Sequence, residues 1–402
     1  MKKKYIKRIL YLDKIAPFID KPIIKVLVGQ RRIGKSYMLL QLMDEIRDEN
    51  AHIIYLDKEL DVYSSITNDK ELHDFVLSQL NPEKKNYLFI DEIQEIESFE
   101  RCLRSLLNEE RCDIYCTGSN ANLLSGELAT LLSGRCMEFR IHSLSYTEFL
   151  KFNQIDNSDE NLMQYLTLGG MPFLHNFELQ QQPSFEYLRN VYSTILLKDV
   201  VARENIRNVA FLENLVTYLV DNTGNLFSAL NISKYLKSQN IKMPTQTVLN
   251  YLHALTNAFF VYRTPRIDVN GLKIFEIGEK YYFEDLGLRN AIRVFNPKSD
   301  INKLMENAVF MHLMRNGYDV FVGNNEGKEI DFVAIRNNER IYIQVAYMLY
   351  DQRTIDREFG NLMEIENHYP KYVVTMDTLP MSASYQGIQQ VHLRTFLSND
   401  TI

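Results

Sequence analysis

Ile23-Ile24-Lys25-Val26-Leu27-Val28, followed by Gly29-Gln30-Arg31-Arg32-Ile33-Gly34-Lys35-Ser36, decides how this chain is read. The first six residues are a short apolar run, which predicts a buried strand. The next eight fit G-x-x-x-x-G-K-[ST] at every fixed position. From Lys35 to about Arg47 the pattern predicts a helix. Strand, glycine loop and helix in that order make a phosphate cradle. The glycines let backbone N–H groups turn inward, and the helix N-terminus adds partial positive charge. Gly29, Gln30, Arg31, Arg32, Ile33, Gly34, Lys35, Ser36 and Tyr37 are therefore the candidate nucleotide-binding residues. Lys35 would reach the β- and γ-phosphates, and the Ser36 hydroxyl would ligate Mg²⁺.

A second stretch supports the first. Leu88-Phe89-Ile90-Asp91-Glu92 is an apolar strand ending in two carboxylates. Asp91 is the second candidate Mg²⁺ ligand, and Glu92 the candidate general base for the attacking water. The acidic pair points to ATP rather than GTP, and no Asn-Lys-x-Asp guanine motif occurs. Thr117-Gly118-Ser119-Asn120 closes a further predicted strand. Asn120 is the first candidate there for contacting the γ-phosphate and the water, and Ser119 the second. Arg135, in Ser133-Gly134-Arg135, is the candidate arginine finger supplied across a subunit interface, with Arg104 as its rival.

Working outward, strands are expected at residues 52–56, 87–90 and 113–117, with helices between them. That alternation predicts βαβ units and a parallel sheet. From about 145 to 220 the chain reads as mostly helical, broken at Gly169-Gly170-Met171-Pro172. Residues 226–257 read as three short helices, followed by extended pieces at 259–263 and 273–277, which is the winged-helix order. A helix near 303–316, strands near 318–322, 329–335 and 340–346, and a strand at 371–375 complete the chain.

These motifs carry a resemblance. Residues 1 to about 220 resemble AAA-type ATPases of a bacterial and archaeal family whose C-terminal domain has no characterised function. The matching elements are the glycine loop, Leu88-Phe89-Ile90-Asp91-Glu92-Ile93-Gln94, Thr117-Gly118-Ser119-Asn120-Ala121, Leu132-Ser133-Gly134-Arg135 and Gly169-Gly170-Met171-Pro172, with Tyr11-Leu12-Asp13-Lys14 near the start. The resemblance implies ATP binding, hydrolysis, a helical lid after the core, and ring or dimer assembly. The expected organisation is an α/β P-loop core at 1–145, a helical lid at 146–221, a winged helix at 222–285 and a last α/β domain at 286–402.

The last two parts carry their own chemistry. Between Asn222 and Ile267 lie Lys234, Lys237, Lys242, Arg263 and Arg266, and no Asp or Glu. Thr245-Gln246-Thr247-Val248-Leu249-Asn250-Tyr251-Leu252 would be a recognition helix, with polar residues over a Leu249–Leu252 core face. Its lysines would meet phosphates of duplex DNA. A protein-docking or lid role is the other reading. Further on come Glu306 on a helix, Asp331 on one strand, and Gln344 with Ala346 on the next. That order resembles the PD-(D/E)XK nuclease fold. The lysine that would position the attacking water is missing, since position 346 is Ala, so an inactive nuclease-like domain is expected.

Composition bounds these readings. The chain has 402 residues, 46% hydrophobic and 24% charged, with net charge −7. A whole-chain nucleic-acid binder would be basic, so DNA contact must rest on a local patch. No run is long and apolar enough for a membrane span, and no signal sequence is apparent. Four cysteines without a CxxC pair predict free thiols and a cytoplasmic protein. The basic run Met1–Arg8 reads as a solvated terminus. Asp199 and Arg203 read either as a lid contact to nucleotide or as a structural ion pair. Three functions stay open: an ATPase switch acting on DNA, a signalling or scaffold ATPase acting on a protein, and an ATP-gated nuclease.

Overall fold

β1 (Ile24–Val28) is buried at all five positions, as a parallel strand covered on both faces must be. In the computed structural model it is part of a five-stranded parallel sheet with β2 (Ala51–Asp57), β3 (Lys85–Asp91), β4 (Asp113–Gly118) and β5 (Cys136–Arg140). The order is β2-β3-β4-β1-β5. The structure describes residues 5–121, 134–238, 243–274, 278–293, 296–349, 351–377 and 384–399. Ser133, Lys242 and residues 275–277 of the expected second wing strand lie outside them.

Register sets the site. Val28 pairs with Gly118, and Asp57 with Asp91. The ends of β1, β3 and β4 therefore reach the same edge of the sheet, where open α/β sheets bind their ligands. Helix Lys35–Ile46 lays Met38, Leu39, Leu42, Met43 and Ile46 against the sheet, the spacing of one apolar helical face. The sheet also buries a charge. Lys25 and Asp113 form an ion pair in the core, and the Tyr115 hydroxyl donates to Asp113 Oδ2 at 2.7 Å. β5 was not expected from sequence. Its pattern is mixed, with Phe139 its one buried residue.

The chain divides into two compact units, Met1–His142 with Asn257–Phe259, and Ser143–Thr256 with Phe260–Ile402. The second unit holds the helices after Ser143, a two-stranded antiparallel pair and a six-stranded sheet. The pair is β6 (Val261–Thr264) with β8 (Lys280–Phe283). In the expected wing, 261–264 pairs with 280–283, and Ile274 of the expected second piece bridges Ile267. The six-stranded sheet runs β13-β12-β11-β10-β9-β7. Its strands are β7 (Arg266–Asp268), β9 (Asp319–Asn325), β10 (Lys328–Arg336), β11 (Glu339–Val345), β12 (Lys371–Thr375) and β13 (Gln389–His392). β7 precedes residue 285 and β9 follows it, yet the two pair. A boundary at 285 therefore cuts through one sheet.

Gly169 and Gly170 have a packing reason. The Gly170 N–H donates to Asp285 Oδ2 at 2.7 Å. A Cβ on Gly169 would lie 2.3 Å from the Gly287 nitrogen. Asp285 also caps helix Leu286–Ala291. Buried completely, its carboxyl is pushed up to about 6.

Removing one partner of a buried pair strands the other charge. Lys25→Met is expected to lower the first unit's stability by about 3–5 kcal/mol, read as its urea midpoint, and Lys25→Met with Asp113→Asn to recover most of that. Equal losses in both proteins would show that the charge pairing contributes nothing.

Candidate nucleotide site

The loop after β1 folds back on itself. Gly29 has φ 151°, and a Cβ there would meet the Ile141 carbonyl oxygen at 2.3 Å. Gly34 sits at φ 94° as the N-cap of helix Lys35–Ile46. Lys35 is buried, and its Nζ donates to the Gly29 and Gln30 carbonyls at 3.1 and 3.0 Å. Gln30 is fully buried, and neither atom of its amide has a partner. Leaving such an amide unpaired costs about 1–3 kcal/mol, so the loop holds unspent hydrogen-bonding capacity. Tyr37 is half-exposed on the first helical turn, Arg31 reaches Glu59 at 3.4 Å, and Arg32 is exposed.

The acidic strand tip stands beside this loop. Lys35 Nζ lies 3.9 Å from Glu92. Glu92 adopts φ 55°, a left-handed conformation that costs a non-glycine residue about 1–3 kcal/mol. Thr117 on β4 secures it. The Glu92 N–H donates to the Thr117 hydroxyl at 2.9 Å, and that hydroxyl donates to Asp91 Oδ1. Burial pushes the Asp91 carboxyl up, while hydrogen bonds from Ser36 and Thr117 pull it down. Ser119 donates to Glu92 Oε2 at 3.3 Å, and Gln94 donates to the same oxygen. The loop, Ser36, Asp91 and Glu92 thus share one end of the sheet. Ser36 with one carboxylate suits Mg²⁺, which takes few protein ligands beside substrate phosphates.

Asn120 follows Ser119 at the end of β4 and is half-buried. Other sequence-derived residues fall elsewhere. Arg135 precedes β5 at its other end, where its carbonyl accepts from the Ile24 N–H. That is roughly 15 Å along the strands from the loop, so within one chain Arg135 is not part of this site. Arg104 is exposed on helix Phe99–Asn108. Arg203 lies 3.5 Å from buried Asp199, the ion pair that was one of the two readings.

Arg8 corrects an expectation. It is buried, not solvated, and its guanidinium donates to the carbonyls of Ile33 at 3.3 Å and His142 at 2.8 Å. Its backbone N–H donates to Gln41. The terminus thereby ties down the glycine loop. Thr117 and Gln94 stand in the quoted motifs but had no role assigned from sequence, and only tertiary folding brings Arg8 here.

In the second unit, helix Thr245–Asn257 buries Val248, Tyr251, Leu252 and Leu255. Leu249, expected on the core face, is 44% exposed because the buried stripe begins one residue earlier. Lys234 and Lys237 are exposed on helix Ala229–Ser238. Arg263 pairs with Glu279 at 2.6 Å, and Arg266 donates to Asn324. The basic stretch is therefore less positive in space than along the chain.

Glu306 and Asp331 do converge, around a lysine that sequence did not flag. Lys280 Nζ lies 2.8 Å from Glu306, 2.8 Å from Glu329 and 3.5 Å from Asp331. Burial pushes the Glu306 carboxyl up to about 7. Burial pulls the Lys280 ammonium down, but its three carboxylates outweigh that and raise it above an ordinary lysine. Gln344 accepts from the Asp331 N–H at 2.6 Å and donates to Glu358 at 3.1 Å. Ala346 is buried.

The parallel sheet, with its glycine loop and acidic strand tip, defines an AAA-type P-loop ATPase fold. The family model for an AAA domain matches residues 21–150, and that for a domain of unknown function matches residues 159–299. The Walker-type ATPase PABY2304 of Pyrococcus abyssi is similar in fold, with TM-score 0.52 and 15% identity over 73% of this chain and 97% of that one. An uncharacterized protein of Haemophilus influenzae is 34% identical over 93% of this chain and 94% of its own length. The chain belongs to the family of that protein. MJ1544 of Methanocaldococcus jannaschii, also described as uncharacterized, is 29% identical over 81% of this chain and 75% of its own.

If Thr117 holds both acidic residues, Thr117→Val should lower ATP turnover about 10–100-fold by weakening Mg²⁺ use, and Thr117→Ser should preserve it. A Mg²⁺ titration of turnover decides; an unaltered Thr117→Val enzyme would remove Thr117 from the site.

Proposed function

We propose that the chain binds ATP at Gly29–Tyr37 and hydrolyses it to drive a conformational switch. The observation that carries this is the shared sheet edge: the loop, Ser36, Asp91 and Glu92 lie side by side, with Lys35 directed into the loop. Lys35 exchanges the loop carbonyls for the β- and γ-phosphates. Ser36 and Asp91 would hold Mg²⁺, which neutralises charge on the phosphates when bound. Glu92 polarises the attacking water and accepts its proton. Ser119 and Gln94 orient Glu92, and Asn120 contacts the γ-phosphate. Arg135 acts from a neighbouring copy, since its own loop lies at the other end of the sheet. That makes a homo-oligomer part of the reading.

The winged-helix reading of 222–285 gives the switch its target. Lys234 and Lys237, exposed on one helix, and Gln246 and Asn250, exposed on the next, suit duplex DNA. A protein partner is the second reading. It is favoured by Leu230, Tyr235 and Leu249, all exposed on these same helices. Residues 286–402, together with β7 of the same sheet, are assigned as a nuclease-like domain that does not cut. Among the described residues, no helix is long and apolar enough to cross a membrane. A cytoplasmic location fits the free cysteines.

Steady-state ATP hydrolysis with and without duplex DNA tests this. Glu92→Gln is expected to lower the rate about 10²–10⁴-fold. Stimulation by DNA supports the DNA reading; an unchanged rate moves the target to protein. Failure of Glu92→Gln to slow hydrolysis would unseat Glu92 as the base. Lys234→Glu with Lys237→Glu should weaken DNA binding and flatten its salt dependence by about 2 in log–log slope. Unaltered affinity would remove this face from DNA contact.

A further inference from the structure

The nuclease-like reading of residues 286–402 implies a divalent cation held by carboxylates, and the residues present do not fit one. Lys280 occupies the space between Glu306, Glu329 and Asp331, with its side chain 1% exposed. Its contacts of 2.8, 2.8 and 3.5 Å are hydrogen-bond lengths. A Mg²⁺ ion would need oxygens at about 2.0–2.1 Å. The carboxylates are spaced around an ammonium.

The remaining walls are closed as well. The Tyr282 hydroxyl donates to Glu306 Oε1 at 2.5 Å. Backbone roofs the same carboxylate, since a Cβ on Gly224 would lie 2.8 Å from Glu306 Oε2. On β11, Gln344 stands where the metal-binding carboxylate of such folds is expected. Its amide is spent on the Asp331 N–H and on Glu358. Asp331 Oδ2 accepts from the Val345 N–H at 2.9 Å. Among the described residues, no group of three or more His, Cys, Asp or Glu side chains is arranged to hold a metal ion.

We propose that the Lys280 ammonium is the permanent cation of this centre, standing in for the divalent metal and joining β8, helix Pro297–Arg315 and β10. A cation is still required where carboxylates converge in a buried place, and β8 supplies it from outside the nuclease-like order. Charge follows. One ammonium faces three carboxylates, so the centre repels a phosphodiester instead of drawing it in. Lys280 is also committed to pairing and does not activate a water.

The inference rests on the nuclease-like reading but fails separately from it. Mn²⁺ is titrated calorimetrically into the full-length, nucleotide-free chain and its variants, whose Ser36 and Asp91 stay the same. The wild-type protein is expected to show no Mn²⁺ site that Asp331→Asn removes. Lys280→Ala is expected to gain one Mn²⁺ per chain, and to lose it again when Glu306→Gln and Asp331→Asn are added. A wild-type site abolished by Asp331→Asn overturns the proposal even if no DNA is cut. A folded Lys280→Ala protein that gains no site overturns it too. If Lys280→Ala does not fold, the wild-type titration decides, and Lys280→Met with Glu306→Gln, Glu329→Gln and Asp331→Asn, which removes the ammonium and its three carboxylates together, should fold and bind no Mn²⁺ there. Mg²⁺-dependent cutting of linear or supercoiled DNA by the wild-type chain, lost in Asp331→Asn, would overturn both this proposal and the non-cleaving assignment.

Discussion

A charge taken out of water must be met by an opposite charge or by several dipoles, and that constraint organises this molecule. Lys25 enters the middle of an apolar strand only because Asp113 stands on the next strand to receive it. Arg8 is buried where the Ile33 and His142 carbonyls and the Tyr11 ring face it. Lys280 is buried because three carboxylates surround it. Each solution ties together segments far apart in sequence. The first joins the centre of the parallel sheet, the second clamps the glycine loop, and the third fastens a two-stranded ribbon to a helix and a sheet.

In the glycine loop the cations are met by backbone dipoles: the Gly29 and Gln30 carbonyls face Lys35, and the Ile33 carbonyl faces Arg8. Gln30 keeps an unpartnered buried amide, and Lys35 turns to the loop's own carbonyls. Across the sheet edge, Asp91 and Glu92 hold negative charge in place through Thr117, at the expense of a left-handed Glu92. Positive and negative groups are thus kept a few ångströms apart and not collapsed onto each other. Lys35 and Glu92 remain 3.9 Å apart.

Much of this was legible because it is local. The strand, glycine loop and helix of residues 23–47, and the strand ending in Asp91-Glu92, follow from short-range patterns. Strands at 371–375 and near 329–335 were equally plain from β-branched and apolar runs. What depended on distant pairing was not legible. β5 carries a single buried side chain, so no alternation marks it. Lys280 heads the run Lys280-Tyr281-Tyr282-Phe283 directly after Glu279, where nothing local marks a hidden partner. Leu249 was assigned to the core because a one-residue shift in a helical stripe leaves composition unchanged. The absence of acids between 222 and 267 suggested a basic patch, but Glu279, just before β8, pairs with Arg263.

The contacts of Gly170 and Asp285 bear on how the chain is made. The helices after Ser143 are completed by residues that follow much later: Glu284 receives the Ser143 N–H, Asn290 bonds the Leu166 and Thr167 carbonyls, and Arg315 bonds the Ser143 hydroxyl. On a ribosome these helices emerge more than a hundred residues before their partners. At about 5–20 residues per second, they wait several seconds with apolar faces uncovered. Vectorial synthesis therefore exposes this segment to misassociation and to chaperones for longer than β2, whose partner β3 emerges soon after it.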